Sequence, residues 1–406
     1  MIAWHVYPLG FGGAPIRGDR GDGCRPPGLR RLADWVGYAA DLGVDALSLG
    51  PVFASQTHGY DTVDYFRIDP RLGDDADLDA LLAAAHGRGL RVLLDGVFNH
   101  VGDRHPLYRR ALELDPEASA YFAWQDGRAR VFEGHGDLIQ LDHDADCVVG
   151  LVQDVMRHWL ARGVDGWRLD AAYATGPDFW ARVLPSVREQ FPDAYVFGEV
   201  IHGDQAGFVR RSGVDSLTQY ELWKAIWSSI HDRNFFELSW TMRRHNELLR
   251  SFVPVTFVGN HDVTRIASQV GPAGAAVALV ILMTIGGSPH VYYGDEQGFT
   301  GVKQDRFGGD DAVRPAYPAT PGDLAPDGWW LHDLTRDLIG LRRERPWLER
   351  AEAVNETLAC QRYVYRVEDP ANPAEHLRVT LDLTDADHPA AKIEGPDGAP
   401  LLDRRW

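Results

Sequence analysis

Residues 164–171 read V-D-G-W-R-L-D-A, an extended pattern that carries an arginine and a carboxylate two positions apart. Side chains alternate faces along a strand, so Arg168 and Asp170 point the same way and Leu169 points opposite. A guanidinium beside a carboxylate favours its ionised form, and a positioned, ionised aspartate can act as a glycosidic nucleophile. Taken alone, the pair fits an ordinary strand-end ion pair equally well. Three further segments bear on the choice. D-G-V-F-N-H brings Asp95, Asn99 and His100; F-G-E-V brings Glu199 behind a glycine that allows close approach; F-V-G-N-H-D brings His261 and Asp262. Packing requires none of these carboxylates, and each would be costly to bury unpaired. Two carboxyls about 5–5.5 Å apart can carry out retaining glycoside hydrolysis, one attacking the anomeric carbon and the other protonating the leaving oxygen. A third can bind sugar hydroxyls and stabilise an oxocarbenium-like transition state.

The elements that must position these residues follow from periodicity. Strand patterns fall at 2–8, 45–50, 91–98, 164–170, 195–200, 215–219, 253–258 and 289–294. Helical patterns over 27–42, 78–89, 145–162, 177–190, 273–284 and 330–343 alternate with them, with further helical segments up to about residue 250. Eight strand–helix units predict a (β/α)8 TIM barrel, with the acidic segments at the C-terminal strand ends where such barrels carry their sites. The alternation breaks over 100–142, and from 347 onward the pattern turns to alternating strands. The expected organisation is therefore a first barrel part, 1–99, a short insertion, 100–142, a second barrel part, 143–346, and a small C-terminal β domain, 347–406. The F-G-G at 11–13 lacks the spacing of a nucleotide loop.

Composition narrows the partners. The 406 residues carry a formal charge of −18, which disfavours a nucleic-acid partner, since phosphate binding needs a basic face. Thirteen Trp, 14 Tyr and 16 Phe permit sugar-stacking surfaces without requiring them. Cys24, Cys147 and Cys360 are too few and scattered for a disulfide framework and read as free thiols. No signal-peptide pattern follows Met1, and no run of about 20 apolar residues offers a membrane span. A cytoplasmic protein acting on a small-molecule carbohydrate, with no membrane partner, is the expectation. The oligomeric state is not legible.

In order and spacing, D-G-V-F-N-H, G-W-R-L-D-A-A, F-G-E-V and F-V-G-N-H-D resemble the four signature regions of the alpha-amylase superfamily, glycoside hydrolase family thirteen. H-G-Y-D-T-V-D-Y, I-D-P-R-L-G and G-S-P-H-V-Y-Y-G-D-E-Q-G agree, and the resemblance runs over roughly 3–345. Its wording is nearest to the neopullulanase, cyclomaltodextrinase and alpha-glucosidase-like members. The resemblance implies Asp170 as nucleophile, Glu199 as general acid/base and Asp262 as transition-state stabiliser. It further implies that Arg168 holds Asp170, that His100 and His261 hydrogen-bond the reacting sugar, that Tyr60 stacks on it, and that Asp95 supports the site.

The departures also inform. The insertion is shorter than in secreted polymer-degrading members. No cofactor is expected; Asn99 matches a calcium ligand of those members, but the usual K-H after the nucleophile segment is replaced by Y-A. No N-terminal accessory domain of the neopullulanase kind is expected. Ala171 matches the small residue of relatives that prefer α-1,4 linkages. Asp61 and Arg314 resemble an aspartate–arginine pair that caps the non-reducing sugar in exo-acting relatives, while an ordinary surface ion pair accounts for them as well. The implied activity is a retaining α-glycosidase cutting α-glucosidic, α-1,4, linkages in short malto-oligosaccharides. The alternatives are a glucanotransferase or disaccharide isomerase using the same intermediate and, more remotely, a non-catalytic amylase-fold binding subunit.

Overall fold

The computed structural model describes residues 1–17 and 28–406. Eight parallel strands form the central sheet: β1 Ala3–Val6, β2 Ala46–Leu49, β3 Arg91–Gly96, β4 Gly166–Leu169, β5 Tyr195–Gly198, β6 Ser216–Leu217, β7 Val255–Phe257 and β8 Ser288–Tyr292. They pair in the order β6-β5-β4-β3-β2-β1-β8-β7, and a parallel bridge between Thr218 and Val255 brings β6 and β7 together, so the sheet closes into the expected (β/α)8 barrel. The strands are short apolar runs because helices cover one face and inward side chains fill the other. β6 is the shortest: the 215–219 pattern yields two ladder residues.

The helices follow the strands: α1 Gly28–Leu42, α2 Asp75–His86, α3 Asp146–Ala161, α4 Pro177–Gln190, α5 Gln205–Ser212, α6 Tyr220–His231, α7 Phe236–Leu249, α8 Ile266–Thr284 and α9 Trp329–Arg343. Residue 27, the expected start of the first helix, lies outside the described residues. α2 begins before the expected 78 because Asp74 caps it, accepting from the Ala76 and Asp77 N–H groups while Asp77 completes a capping box. α8 starts before the expected 273, with a kink at Gly271 (φ 72°) ahead of Pro272, which has no N–H to continue the ladder. At 19 residues, α8 is long and apolar enough to cross a membrane, which corrects the expectation that no such run exists. Here its apolar surface is used in packing: residues 274–284 are buried, against α6, α9 and the C-terminal sheet.

The insertion after β3 opens with His100–Gly102 paired antiparallel to Leu138–Gln140 and holds two short helices, Pro106–Leu112 and Pro116–Ser119. The tail forms a five-stranded antiparallel meander, β9 Glu352–Leu358, β10 Arg362–Asp369, β11 Asn372–Asp382, β12 Ala390–Glu394 and β13 Pro400–Arg405. Its inward residues, among them Tyr365, Val367, Leu377 and Val379, are buried. Thr284 at the end of α8 shares a 2.8 Å hydrogen bond with the Tyr365 hydroxyl. The buried Arg342 of α9 donates to the carbonyls of Met283, Ile285, Gly287 and Leu348, fastening the end of α8, the entry to β8 and the segment leading to β9. Cys147 and Cys360 are unpaired, and Cys24 lies outside the described residues.

Candidate active site

The carboxylates gather at the C-terminal ends of β3, β4 and β5 around one guanidinium. Arg168 Nη1 lies 2.8 and 2.7 Å from the two Asp95 oxygens and 3.1 Å from Asp170 Oδ1; its Nη2 lies 3.1 Å from Glu199 Oε2. Asp95, Asp170, Arg168 and Glu199 are all buried. The closest partner of Arg168 is thus Asp95, on the neighbouring strand, rather than Asp170. One cation among three carboxylates cannot neutralise them all. Burial drives the Asp170 carboxyl well above the usual carboxylate range; Arg168 opposes this, and Glu199 and Asp95 add to it. Asp95 is raised for the same first reason. Protons on such a cluster belong to the group rather than to one residue.

Local backbone sets Glu199 against Asp170. Asp170 N–H donates to Gly96 O, and Glu199 N–H to Leu169 O, extending the ladder just past the strands. Ala171 then takes a left-handed conformation (φ 45°, ψ 38°), unfavourable for a residue with a Cβ, and directs its N–H to Glu199 Oε2 at 3.0 Å. The Tyr220 hydroxyl, at the start of α6, donates to Glu199 Oε1 at 2.8 Å and accepts from Asn260 Nδ2 at 3.0 Å.

Asp262 occupies a different environment, five residues past the end of β7. Oδ1 accepts from Arg314 Nη2 at 2.9 Å, Oδ2 lies 2.9 Å from His261 Nε2, and its N–H donates to Asn260 Oδ1 at 2.9 Å. Burial would raise this carboxyl, yet His261, Arg314 and Arg168 hold it well below the usual range. Its side chain is 33% exposed, the most open of the four acids, so solvent and substrate reach it most easily.

Tyr60 links the two environments. Its hydroxyl lies 3.3 Å from Asp95 Oδ2 and in close contact with His261 Nε2, and its ring is parallel to His261 at 5.2 Å. His100 is buried, and burial pushes its imidazole down to about 4. Its Nε2 reaches Tyr60 O at 2.9 Å and its Nδ1 reaches Asn99 Nδ2 at 3.1 Å, so both ring nitrogens expected to meet sugar have protein partners. Asp61 and Arg314 are buried, which overturns the surface ion-pair reading, and they are not bonded to each other. Asp61 accepts from the Thr57 N–H (3.1 Å) and hydroxyl (2.6 Å), whereas Arg314 serves Asp262 and, at 3.3 Å, Asp310.

Sequence reading missed Tyr220 and Asn260 as partners of the acids. Asn260 lay inside a quoted motif, but nothing in the sequence marked Tyr220. Asn99 Oδ1 is buried without a partner, yet among the described residues no three His, Cys, Asp or Glu side chains are grouped to hold an ion, and calcium needs six to eight oxygens.

Comparison with known proteins agrees with this geometry. The family model described as "Alpha amylase, catalytic domain" matches residues 15–136 and 131–363. A cyclomaltodextrinase from Geobacillus thermopakistaniensis (strain MAS1) is 31% identical over 349 residues, covering 80% of this chain and 57% of the relative. The chain thus spans little more than half the length of that relative. A 4-alpha-glucanotransferase from Thermotoga neapolitana is 28% identical over 432 residues, covering 91% of this chain and 93% of the transferase. In fold, the ligand-free cyclic alpha-maltosyl-(1→6)-maltose hydrolase from Arthrobacter globiformis superposes with a TM-score of 0.81 at 24% identity, over 100% of this chain and 98% of that one. With the family model covering most of the barrel and the acids standing at its strand ends, the chain belongs to the alpha-amylase family.

Proposed function

We propose that the protein is a retaining α-glycosidase that hydrolyses α-glucosidic, principally α-1,4, linkages in short malto-oligosaccharides. One observation carries the reading: Asp170 and Glu199, from neighbouring strand ends, are bonded to two nitrogens of the same guanidinium, while Asp262 is held by Arg314 and His261. A shared guanidinium favours the close carboxyl spacing of retaining enzymes, about 5–5.5 Å, over the wider spacing of inverting ones. In the first step Asp170 Oδ attacks C1, the glycosidic C–O bond breaks, and Glu199 gives its proton to the leaving oxygen. In the second, a water gives a proton to Glu199 and attacks C1, freeing Asp170. Asp262, ionised and open to solvent, binds the hydroxyls beside the reacting carbon, with Arg168 and Asp95 fixing the nucleophile. His100 acts by holding the Tyr60 carbonyl, His261 and Arg314 by holding Asp262, and Tyr60 by bridging the two groups. Asp61 braces the loop that carries Tyr60. The barrel parts 1–99 and 143–346 form the catalytic unit, 100–142 its short insertion and 347–406 a supporting β domain. Unpaired Cys147 and Cys360 support a reducing, cytoplasmic setting.

Product analysis with maltotriose and soluble starch, reading the anomeric configuration by proton NMR at early times, tests this. Release of α-configured glucose or maltose, faster from maltotriose, is expected. β-Configured product refutes retention, and equal rates on starch refute the preference for short chains. A second reading keeps the chemistry but passes the glycosyl group to a sugar hydroxyl. The near-complete mutual coverage with a 4-alpha-glucanotransferase favours it. Longer oligosaccharides appearing with an added acceptor would establish it.

A further inference from the structure

Three imidazoles from three parts of the barrel line one internal cavity: His5 on β1, His290 on β8 and His261 just past β7, with Arg168 also in its wall. His5 Nε2, His290 Nε2 and His261 Nδ1 are all buried without a hydrogen-bond partner in the protein. His5 and His261 meet edge to face, with centroids 5.2 Å apart. The cavity measures about 20 Å³, above the roughly 10–15 Å³ that one water needs and too little for two. Small cavities that stay dry are apolar; this one has Phe197, Val255 and Phe257 in its wall, but beside them stand three imidazole nitrogens without a protein partner.

We infer that this cavity is a binding site for a single water, shared by His5, His261 and His290, and that this water fixes the tautomers of all three rings as a set. His261 Nε2 lies 2.9 Å from the Asp262 carboxylate and touches the Tyr60 hydroxyl, whose own hydrogen points to Asp95; with acceptors on both sides Nε2 carries the ring hydrogen, which leaves Nδ1 as an acceptor. A water has two hydrogens to give. One goes to His261 Nδ1 and the second to the Nε2 of either His5 or His290. The remaining Nε2 carries a hydrogen and donates it to the water oxygen. With both water hydrogens given to imidazole nitrogens, His5 and His290 adopt opposite tautomers.

The charges around the cavity select a neutral occupant. Burial, then the neighbouring His261 and Arg168, keeps His5 well below the usual imidazole range; burial, then the N-terminal ammonium and Arg168, takes His290 down to about 3. Neither ring supplies a positive charge for an anion. The one guanidinium in the wall is already faced by Asp95, Asp170 and Glu199. That same guanidinium disfavours a metal cation, and the described residues contain no grouped set of three metal-ligating side chains.

The test is crystallography of the full chain at about 1.2 Å, joined to NMR of protein labelled with nitrogen-15 in histidine. One oxygen-sized peak within hydrogen-bond reach of all three nitrogens is expected, with no anomalous signal there after a bromide soak. His5 and His290 should give the nitrogen shifts of opposite neutral tautomers. The variant His290→Leu should lose the peak and move the His261 nitrogen signal. An empty cavity, a halide peak, a doubly protonated His261, matching tautomers at His5 and His290, or a His261 signal unmoved by His290→Leu would each overturn the assignment. If His290→Leu does not fold, the native structure and its tautomers decide alone.

Discussion

Two groups of acids face one mouth, and they are charged by opposite arrangements. Around Arg168, three carboxylates share one guanidinium, and Asp170 and Asp95 are pushed up. Around Asp262, one carboxylate has two nitrogenous partners, His261 and Arg314, and is pushed down. Burial acts in the same direction on both, so the ratio of cations to carboxylates decides the outcome. The first arrangement holds a proton among its carboxyls, which must lie off Asp170 for that residue to attack; the second makes a fixed negative charge opposite a developing positive one. The contrast shows that an arginine near a nucleophile does not by itself secure its ionisation, as residues 164–171 alone suggest. How many acids share that arginine matters as much.

Removing one acid from each group gives the largest test. Asp170→Asn should lower kcat by roughly four or more powers of ten. The same change should raise Tm by a few degrees, because a carboxyl raised by folding costs stability as pH climbs from its ordinary 3.8 through its folded value, and the amide removes that cost. Asp262→Asn should instead lower Tm at pH 7. A carboxyl depressed by folding gives its stabilisation in full above 3.8 and loses it as pH falls through its folded value, so the deficit should shrink in strong acid. Calorimetry on both variants checks the signs; two shifts in the same direction would break the comparison.

Glu199→Gln should slow maltotriose cleavage by roughly 10²–10⁴-fold while largely sparing an aryl glucoside, whose leaving group needs little protonation. Equal losses on both substrates would remove Glu199 from the acid/base role. Arg314→Met, read in a pH–rate profile, should cost roughly tenfold in kcat/KM and move the acid limb upward as Asp262 loses a cation. Ala171→Gly should be the mildest, relieving roughly 1–2 kcal/mol of left-handed strain against the unfolded-state freedom that glycine adds, with a few-fold fall in kcat as the peptide holding Glu199 loosens.

The barrel and its four acids were legible because they sit on strands or in the segments that leave them: Arg168 and Asp170 are both on one face, as the two-residue spacing requires. The family resemblance supplied the order of the acids. What escaped depends on loops meeting across the mouth. Arg314 reaches Asp262 across 52 positions, and Tyr220 reaches Glu199 from the start of a helix; neither contact leaves a periodic mark. The left-handed Ala171 was hidden because alanine gives no sign of unusual backbone. The early start of α8 was missed since Gly271-Pro272 reads as a break, whereas the chain bends there and goes on.

The junction between β6 and β7 gives the barrel a preferred place to breathe. Every other strand pair shares a ladder, but this one is joined by the Thr218–Val255 bridge, the 2.9 Å bond from Gln219 N–H to Val255 O and the Ser216 hydroxyl on Val253 O. Elastic deformation of the ring should concentrate where so few bonds resist it, and amide exchange at 216–219 and 253–257 should outpace that of β1 to β5. Beyond this joint the Asn260–Tyr220 hydrogen bond spans from the Asp262 bank to the Glu199 bank. Small opening motions there would widen or narrow the gap between the two acids, making the weakest joint of the cylinder the hinge along which the mouth changes width.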